Sequence, residues 1–177
     1  MIKMAGDDKM DLKNFKLAPL YNIDQEWALL TAGTKEKYNT MTISWGGMGI
    51  IWNKPVVTVY VKPIRYTYEF MENSKYFTIS FYDDEYKADL GILGTKSGRD
   101  IDKVSLTKLT PDFLKSSVSF KESKLTIVCK KIYFQDLDMN NIDIESIPKK
   151  DFERFYKNEP IHRMYIGEVI DIIDKRT

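Results

Sequence analysis

Arg65, Tyr66 and Thr67 follow closely on Val56-Val57-Thr58-Val59-Tyr60-Val61, the most apolar strand-like run in the sequence, and open a stretch suited to a helix. A guanidinium and a hydroxyl at a helix start make an anion site. The cation brings charge, the unbonded first-turn amides bring donors, and the helix dipole favours a phosphate. The same residues also suit an arrangement in which Thr67 caps the helix and Arg65 pairs with a carboxylate. Upstream, Asn39-Thr40-Met41-Thr42-Ile43-Ser44-Trp45-Gly46-Gly47-Met48-Gly49 reads as a polar strand running into a glycine-rich bend with a tryptophan at its mouth. Glycine lacks the Cβ that would keep a planar ligand off the backbone, so the bend can bind one; it can equally be a plain corner between strands.

A third cluster, Lys96-Ser97-Gly98-Arg99-Asp100-Ile101-Asp102-Lys103, mixes small and cationic residues. Ser97, Arg99 and Lys103 could each donate to phosphate or to the carbonyl edge of a ring, and a solvated turn has the same composition. His162 is the one histidine, so Ser-His-Asp and Cys-His catalysis would both depend on it and multi-histidine metal sites are excluded. A hydrogen-bonded structural role competes with an acid-base one there. Cys129, alone of its kind, lies in an apolar run and reads as core; a disulfide framework and thiolate zinc sites are excluded, and a reducing compartment fits. No metal site is expected.

Two nucleotide motifs fail. Gly47-Met48-Gly49 would need glycine where Trp52 stands to be a dinucleotide fingerprint, and Gly91 to Ser97 has Thr95 where a phosphate loop needs glycine before Lys96.

The elements that must position these residues are mostly strands. Period-two alternation with β-branched and aromatic residues predicts strands over Trp27–Ala32, Tyr38–Ser44, Val56–Val61, Tyr76–Tyr82, Leu125–Tyr133 and Met164–Ile170. Val56–Val61 is apolar at nearly every position, which predicts cover on both faces. Short helices are expected over Thr67–Asn73, with Thr67 near its cap, over Asp84–Leu93, and over Pro148–Tyr156. This order lacks the regular alternation of a doubly wound sheet and fits a closed antiparallel barrel with helical insertions. Gln135–Ile147, rich in Asp and Asn, reads as a surface loop.

The chain of 177 residues suits one domain, 1–177, with 1–20 as a mobile N-terminal segment. Lys and Arg number 27 against 26 Asp and Glu, a formal net charge of +1, so no global field draws the chain to nucleic acid or an anionic membrane. Residues 1–20 lack the apolar core of a signal peptide, and the longest uncharged stretch, Tyr38–Asn53, is too short and polar to cross a bilayer. A soluble cytoplasmic protein is the expectation.

Taken in order, N-T-M-T-I-S-W-G-G (Asn39 to Gly47), R-Y-T (Arg65 to Thr67), S-G-R-D-I-D-K (Ser97 to Lys103) and H-R-M-Y-I-G-E-V (His162 to Val169) resemble the flavin reductase-like family of FMN-binding split barrels, and its flavoredoxin subgroup in particular. The resemblance runs from about Asp24 to Val169. It implies a mostly β, Greek-key split β-barrel with short flanking helices, forming a homodimer with FMN held non-covalently in a groove near the subunit interface. On the matching positions, Arg65 and Thr67 would hold the FMN phosphate, helped by Ser97 and Arg99. Asn39, Ser44, Trp45 and Gly46 would line the ring and ribityl chain, and Lys103 and His162 would lie by the ring or phosphate and tune the flavin. The implied activity is NAD(P)H-dependent flavin reduction, with NADH or NADPH as donor. The alternative is a flavoredoxin-type carrier passing electrons to a redox protein; a partner monooxygenase is a further expectation. Pyridoxamine-phosphate-oxidase-like or haem-binding relatives share the fold but match the tryptophan-glycine and R-x-T segments less well. The loop 136–147 would either cover the nicotinamide site or be a surface excursion.

Overall fold

The computed structural model describes Leu12 and residues 15–176. Among the described residues nine strands form: β1 Ala28–Gly33, β2 Tyr38–Ile43, β3 Gly46–Ile51, β4 Lys54–Val61, β5 Tyr76–Phe81, β6 Pro111–Phe113, β7 Val118–Phe120, β8 Leu125–Asp136 and β9 Arg163–Asp174. Seven of them make one antiparallel sheet in the order β2-β1-β5-β8-β9-β4-β3, and β6-β7 is a separate hairpin. The two edges of the large sheet, β2 and β3, are joined by Ser44 and Trp45 alone. Three Cα steps can span only about 11 Å, so the sheet must roll up until its edges face each other. The result is a barrel split between β2 and β3. β1 to β4 follow one another round it and β5 returns beside β1, the Greek-key connection.

Each predicted strand is present within a few residues of its expected limits. Strand β3 is the correction: the glycine-rich stretch after Trp45 is extended and pairs with β4 from Gly46↔Val59 to Ile51↔Lys54. Trp52 and Asn53 connect the two strands with φ of 50° and 57°, the left-handed pair that a two-residue hairpin requires. That turn sets the register despite the weak strand propensity of glycine. At Gly46 the lack of a side chain is required, because a Cβ would lie 2.8 Å from the Thr58 carbonyl oxygen.

Inside the barrel, Leu30, Ala32, Val57, Val59, Val61, Phe77, Ile79, Phe81, Ile127 and Tyr165 form the core. Burying such a side chain contributes roughly 1.5–3 kcal/mol each. A second cluster, including Leu29, Tyr82, Leu90, Leu93 and Phe120, packs outside the barrel under helix Lys87–Thr95 and the β6-β7 hairpin. Double cover of β4 does not extend to its whole outer face, since Thr58 and Tyr60 are only half-buried between fully buried Val57, Val59 and Val61.

Among the described residues four α-helical segments decorate the barrel, besides shorter turns: α1 Pro19–Tyr21, a single turn; α2 Tyr66–Asn73; α3 Lys87–Thr95; and α4 Lys149–Tyr156. A tight turn over Asp84–Tyr86 precedes α3, which accounts for the earlier start expected from sequence. Of the N-terminal segment expected to be mobile, residues 1–11, 13 and 14 lie outside the described residues, while Leu12, Phe15 and Leu17 pack against the core. The stretch expected as loop from Gln135 begins two residues later, because Gln135 and Asp136 pair with Met164 and Arg163 in the β8-β9 ladder.

Candidate functional site at the barrel split

The split opens onto two adjoining grooves that share Ser44, Trp45 and Tyr60. The larger, of 690 Å³, runs along β3 past Gly46, Gly47 and Met48. The smaller, of 280 Å³, runs along β2 from Met41 to Arg65 and His162. Trp45 is 39% exposed at this mouth.

The end of β4 supplies the charge. After Val61 the chain turns, with the Arg65 amide donating to the Lys62 carbonyl at 3.0 Å, and α2 begins at Tyr66. Arg65 is therefore the residue that flanks the helix, and no side chain caps it. Thr67, expected as the cap, is two residues further in and 1% exposed; its Oγ1 accepts from Asn39 Nδ2 at 2.7 Å. This bond ties the start of α2 to the edge strand β2. The Arg65 guanidinium forms no ion pair among the described residues, so the carboxylate partner expected in the structural alternative is not there.

The loop after α3 reaches the same place. Gly98 sits against Asn39 so closely that a Cβ would lie 2.3 Å from Asn39 Oδ1, and Ser97 Oγ accepts from the Arg99 amide at 3.2 Å. Lys103, 5% exposed, donates to the carbonyls of Leu93 at 2.7 Å and Lys96 at 3.1 Å, satisfying the C-terminal end of α3. Burial, with Arg65 adding repulsion, brings its ammonium down to about 8. Arg65 thus stands at a helix start with no side-chain cap and no ion pair among the described residues, while Lys103 lines a separate cavity with Asn39, Gly98 and Asp102. A cation beside an uncapped helix start can bind an anion.

Arg99 does not join Arg65. Its Nε and Nη2 both donate to Glu69 Oε1, at 3.2 and 2.6 Å, and Nη1 donates to the Ile64 carbonyl at 3.0 Å. It braces the outer side of α2 while its guanidinium lies 5.1 Å from the Tyr66 ring. Arg99 is thus engaged by Glu69 and the Ile64 carbonyl, whereas Arg65 has no ion pair among the described residues.

His162 enters the site from the residue before β9. Its Nδ1 shares a hydrogen bond with Tyr156 Oη at 3.1 Å, and its ring lies 5.0 Å from that of Trp45. Burial first, then Lys62 and Arg65, push its imidazole down to about 4, so it is neutral at pH 7. Any tuning by His162 is through hydrogen bonding and packing and not through charge.

Three further residues at the site were not singled out from sequence. Lys62, buried, donates to the Phe155 carbonyl and to Glu159; Tyr60 lines both grooves; Phe155 of α4 packs on Trp45 with ring centroids 4.7 Å apart at 85°. Lys62 stands beside the R-Y-T segment and could have been found by its place at the end of an apolar strand. Nothing local shows that α4 folds onto Trp45. Cys129 is fully buried and burial pushes its thiol up, consistent with core and not chemistry.

Residues 20–176 match the flavin reductase like domain, and the chain belongs to that family. The fold is similar to that of flavoredoxin from Methanosarcina acetivorans, with TM-score 0.63 and 22% identity over 84% of this chain and 68% of that one. It is also similar to an FMN-binding protein from Thermus thermophilus with bound 1-cyclohex-2-enone, with TM-score 0.64 and 16% identity over 84% and 70% of the two chains. A split-barrel protein from Shewanella frigidimarina NCIMB 400 gives TM-score 0.65 and 18% identity over 92% and 76%. No curated protein matches the chain. Among the described residues, no helix is long and apolar enough to cross a membrane.

Proposed function

We propose that this chain is an FMN-binding flavoprotein that works as an NAD(P)H-dependent flavin reductase. The observation that carries the proposal is Arg65, a cation without a carboxylate partner at the uncapped start of α2, directly beside an aromatic split. The residues present fit a planar, phosphate-bearing cofactor. Arg65 and the first amides of α2 would hold its phosphate, with Thr67, Asn39 and Ser97 shaping that end and Lys103 contributing charge. Ser44, Trp45, Gly46 and His162 would line the ring and ribityl chain. Support comes from the family and from structural neighbours that are themselves flavoredoxin and FMN-binding protein.

Bound FMN would supply the redox chemistry, accepting hydride at N5 from C4 of a nicotinamide. The protein's own part is to orient, to exclude water and to bias the charge. Arg65 and Lys103 favour an anionic ligand electrostatically. Neutral His162 can hold a hydrogen bond with Tyr156 without adding a charge near the ring. No side-chain nucleophile is required.

A flavoredoxin-type electron carrier is the second reading, and Phe155 favours it: by packing on Trp45 it narrows the access a nicotinamide would need. A redox protein or monooxygenase would then be the partner. We also propose a cytoplasmic homodimer. Edge strand β3 leaves Ile50 and the turn residue Trp52 70% and 60% exposed, an apolar edge of the kind a second copy covers.

An anaerobic visible-absorption titration of the FMN-reconstituted protein with NADH and then NADPH tests the proposal. Prompt bleaching of a bound-flavin spectrum is expected and names the donor. A yellow protein reduced by dithionite but by neither nucleotide would establish the carrier. Failure to take up FMN would overturn both.

A further inference from the structure

The connection between β8 and β9, residues 137–162, leaves the barrel and comes back over the split. Its two ends are pinned together. Arg163 donates to both carboxylate oxygens of Asp136 at 2.6 and 2.9 Å, and the Leu137 amide donates to the His162 carbonyl at 3.0 Å. Between these ends the chain makes two single turns, Met139–Asn141 and Ile144–Ser146, and then α4, in which no residue is fully buried. Segments with few buried groups open at a lower free energy than the barrel that carries them.

The far end of the excursion is held by one buried cation. The Lys62 side chain is 7% exposed, and its ammonium donates to the Phe155 carbonyl and the Glu159 carboxylate. It also lies 5.5 Å from the Tyr156 ring. All three of these groups belong to the excursion. Moving that segment away strips Lys62 of its partners and releases its charge into a groove already lined by Arg65. In the closed arrangement the buried ammonium is paired and hydrogen-bonded, and opening breaks those contacts, so an anion that takes their place on Lys62 favours the open arrangement.

We propose that Phe155 is the specificity-determining residue of this site, carried on a flap, residues 137–162, that Lys62 latches shut. Phe155 meets Trp45 edge to face with ring centroids 4.7 Å apart, so it takes up space beside the ring that a planar molecule stacking there would compete for. An anionic group entering beside Arg65 competes with Glu159 for Lys62. The ligands admitted are those that are both planar and anionic, the chemistry shared by flavin mononucleotides and reduced nicotinamide nucleotides. Because the effects are linked, such a ligand opens the flap to the same degree that opening favours the ligand. The identity of the reaction rests on the flavin proposal above; the flap and its latch rest on the geometry alone.

The first test uses the cofactor-free protein. In Glu159→Ala, the α4 amides are expected to exchange hydrogen for deuterium about tenfold faster than in the wild type, while β1, β5 and β8 keep their protection. Lys62→Met should behave likewise. Unchanged exchange of α4 in both variants would overturn the latch, and exchange of α4 only together with the barrel would overturn the flap. The second test uses FMN-loaded protein reduced anaerobically by NADH, NADPH and reduced nicotinamide mononucleotide. Phe155→Ala is expected to change the ratios of their reduction efficiencies by about fivefold. Equal scaling for all three donors would leave Phe155 a structural residue. Should the wild type fail to bind FMN, the flavin proposal falls while the exchange result still decides the flap.

Discussion

Asn39 on the edge strand β2 donates from Nδ2 to the Oγ1 of Thr67 in α2 at 2.7 Å, with both side chains buried. This bond fixes the start of α2 against the split. Asn39→Ala leaves the buried Thr67 hydroxyl without that donor and should destabilise the fold by about 1–3 kcal/mol. Urea unfolding measures the loss, and a wild-type midpoint would show that α2 is held by packing alone.

Arg65→Ala removes the cation that faces the split. FMN affinity should fall by a charge-assisted contact of about 1.5–3 kcal/mol, read by fluorescence titration. The same variant should raise the imidazole pKa of His162 from about 4, since a neighbouring positive charge is gone. With one histidine in the chain, a single NMR resonance reports it.

His162 also gives a signed pH dependence. In the unfolded chain it titrates near 6.5 and in the fold near 4, so between those values the unfolded state binds more protons. Its contribution to stability is therefore lost as pH falls from about 6.5 to about 4. Asp136, Glu159 and Asp174, each held below the usual carboxylate range by Arg163, Lys62 and Arg176 respectively, lose their contributions at the acid end of the same direction. His162→Gln should flatten the upper part of the acid limb and leave the lower part in place. A denaturation series at stepped pH compares the two proteins.

Lys103→Met is expected to lower the flavin midpoint potential, because a cation near a reduced, anionic ring stabilises it. Spectroelectrochemistry of the FMN-loaded variant measures this. An unchanged potential at full occupancy would confine Lys103 to its hydrogen bonds with the Leu93 and Lys96 carbonyls.

Alternation made most strands legible, since a period of two follows from which side chains face the core. It could not show β3, because Gly46, Gly47 and Gly49 carry no side-chain pattern and their strand comes from the turn at Trp52 and Asn53 and from pairing with β4. The hairpin β6-β7 was missed for a related reason: its strands are three residues each, too short for a pattern. At the site, the types and order of Trp45, Gly46, Arg65 and Thr67 pointed to an anion and a flat ligand, and the family resemblance added Asn39, Ser44 and His162. Arg99 and Lys103 had equal standing with Arg65 by composition, and only their partners separated them, Glu69 for one and α3 carbonyls for the other.

By itself the sequence determined the barrel class, the apolar alternation that builds it, and the residue types available at the split. Closure of the sheet decided the rest. It brought the β2 and β3 edges within the reach of two residues, left Arg65 without an ion pair among the described residues, and laid Phe155 on Trp45. Alternation and propensity act between near neighbours in the chain, whereas charge compensation and aromatic contact depend on which distant segments the closed barrel sets side by side.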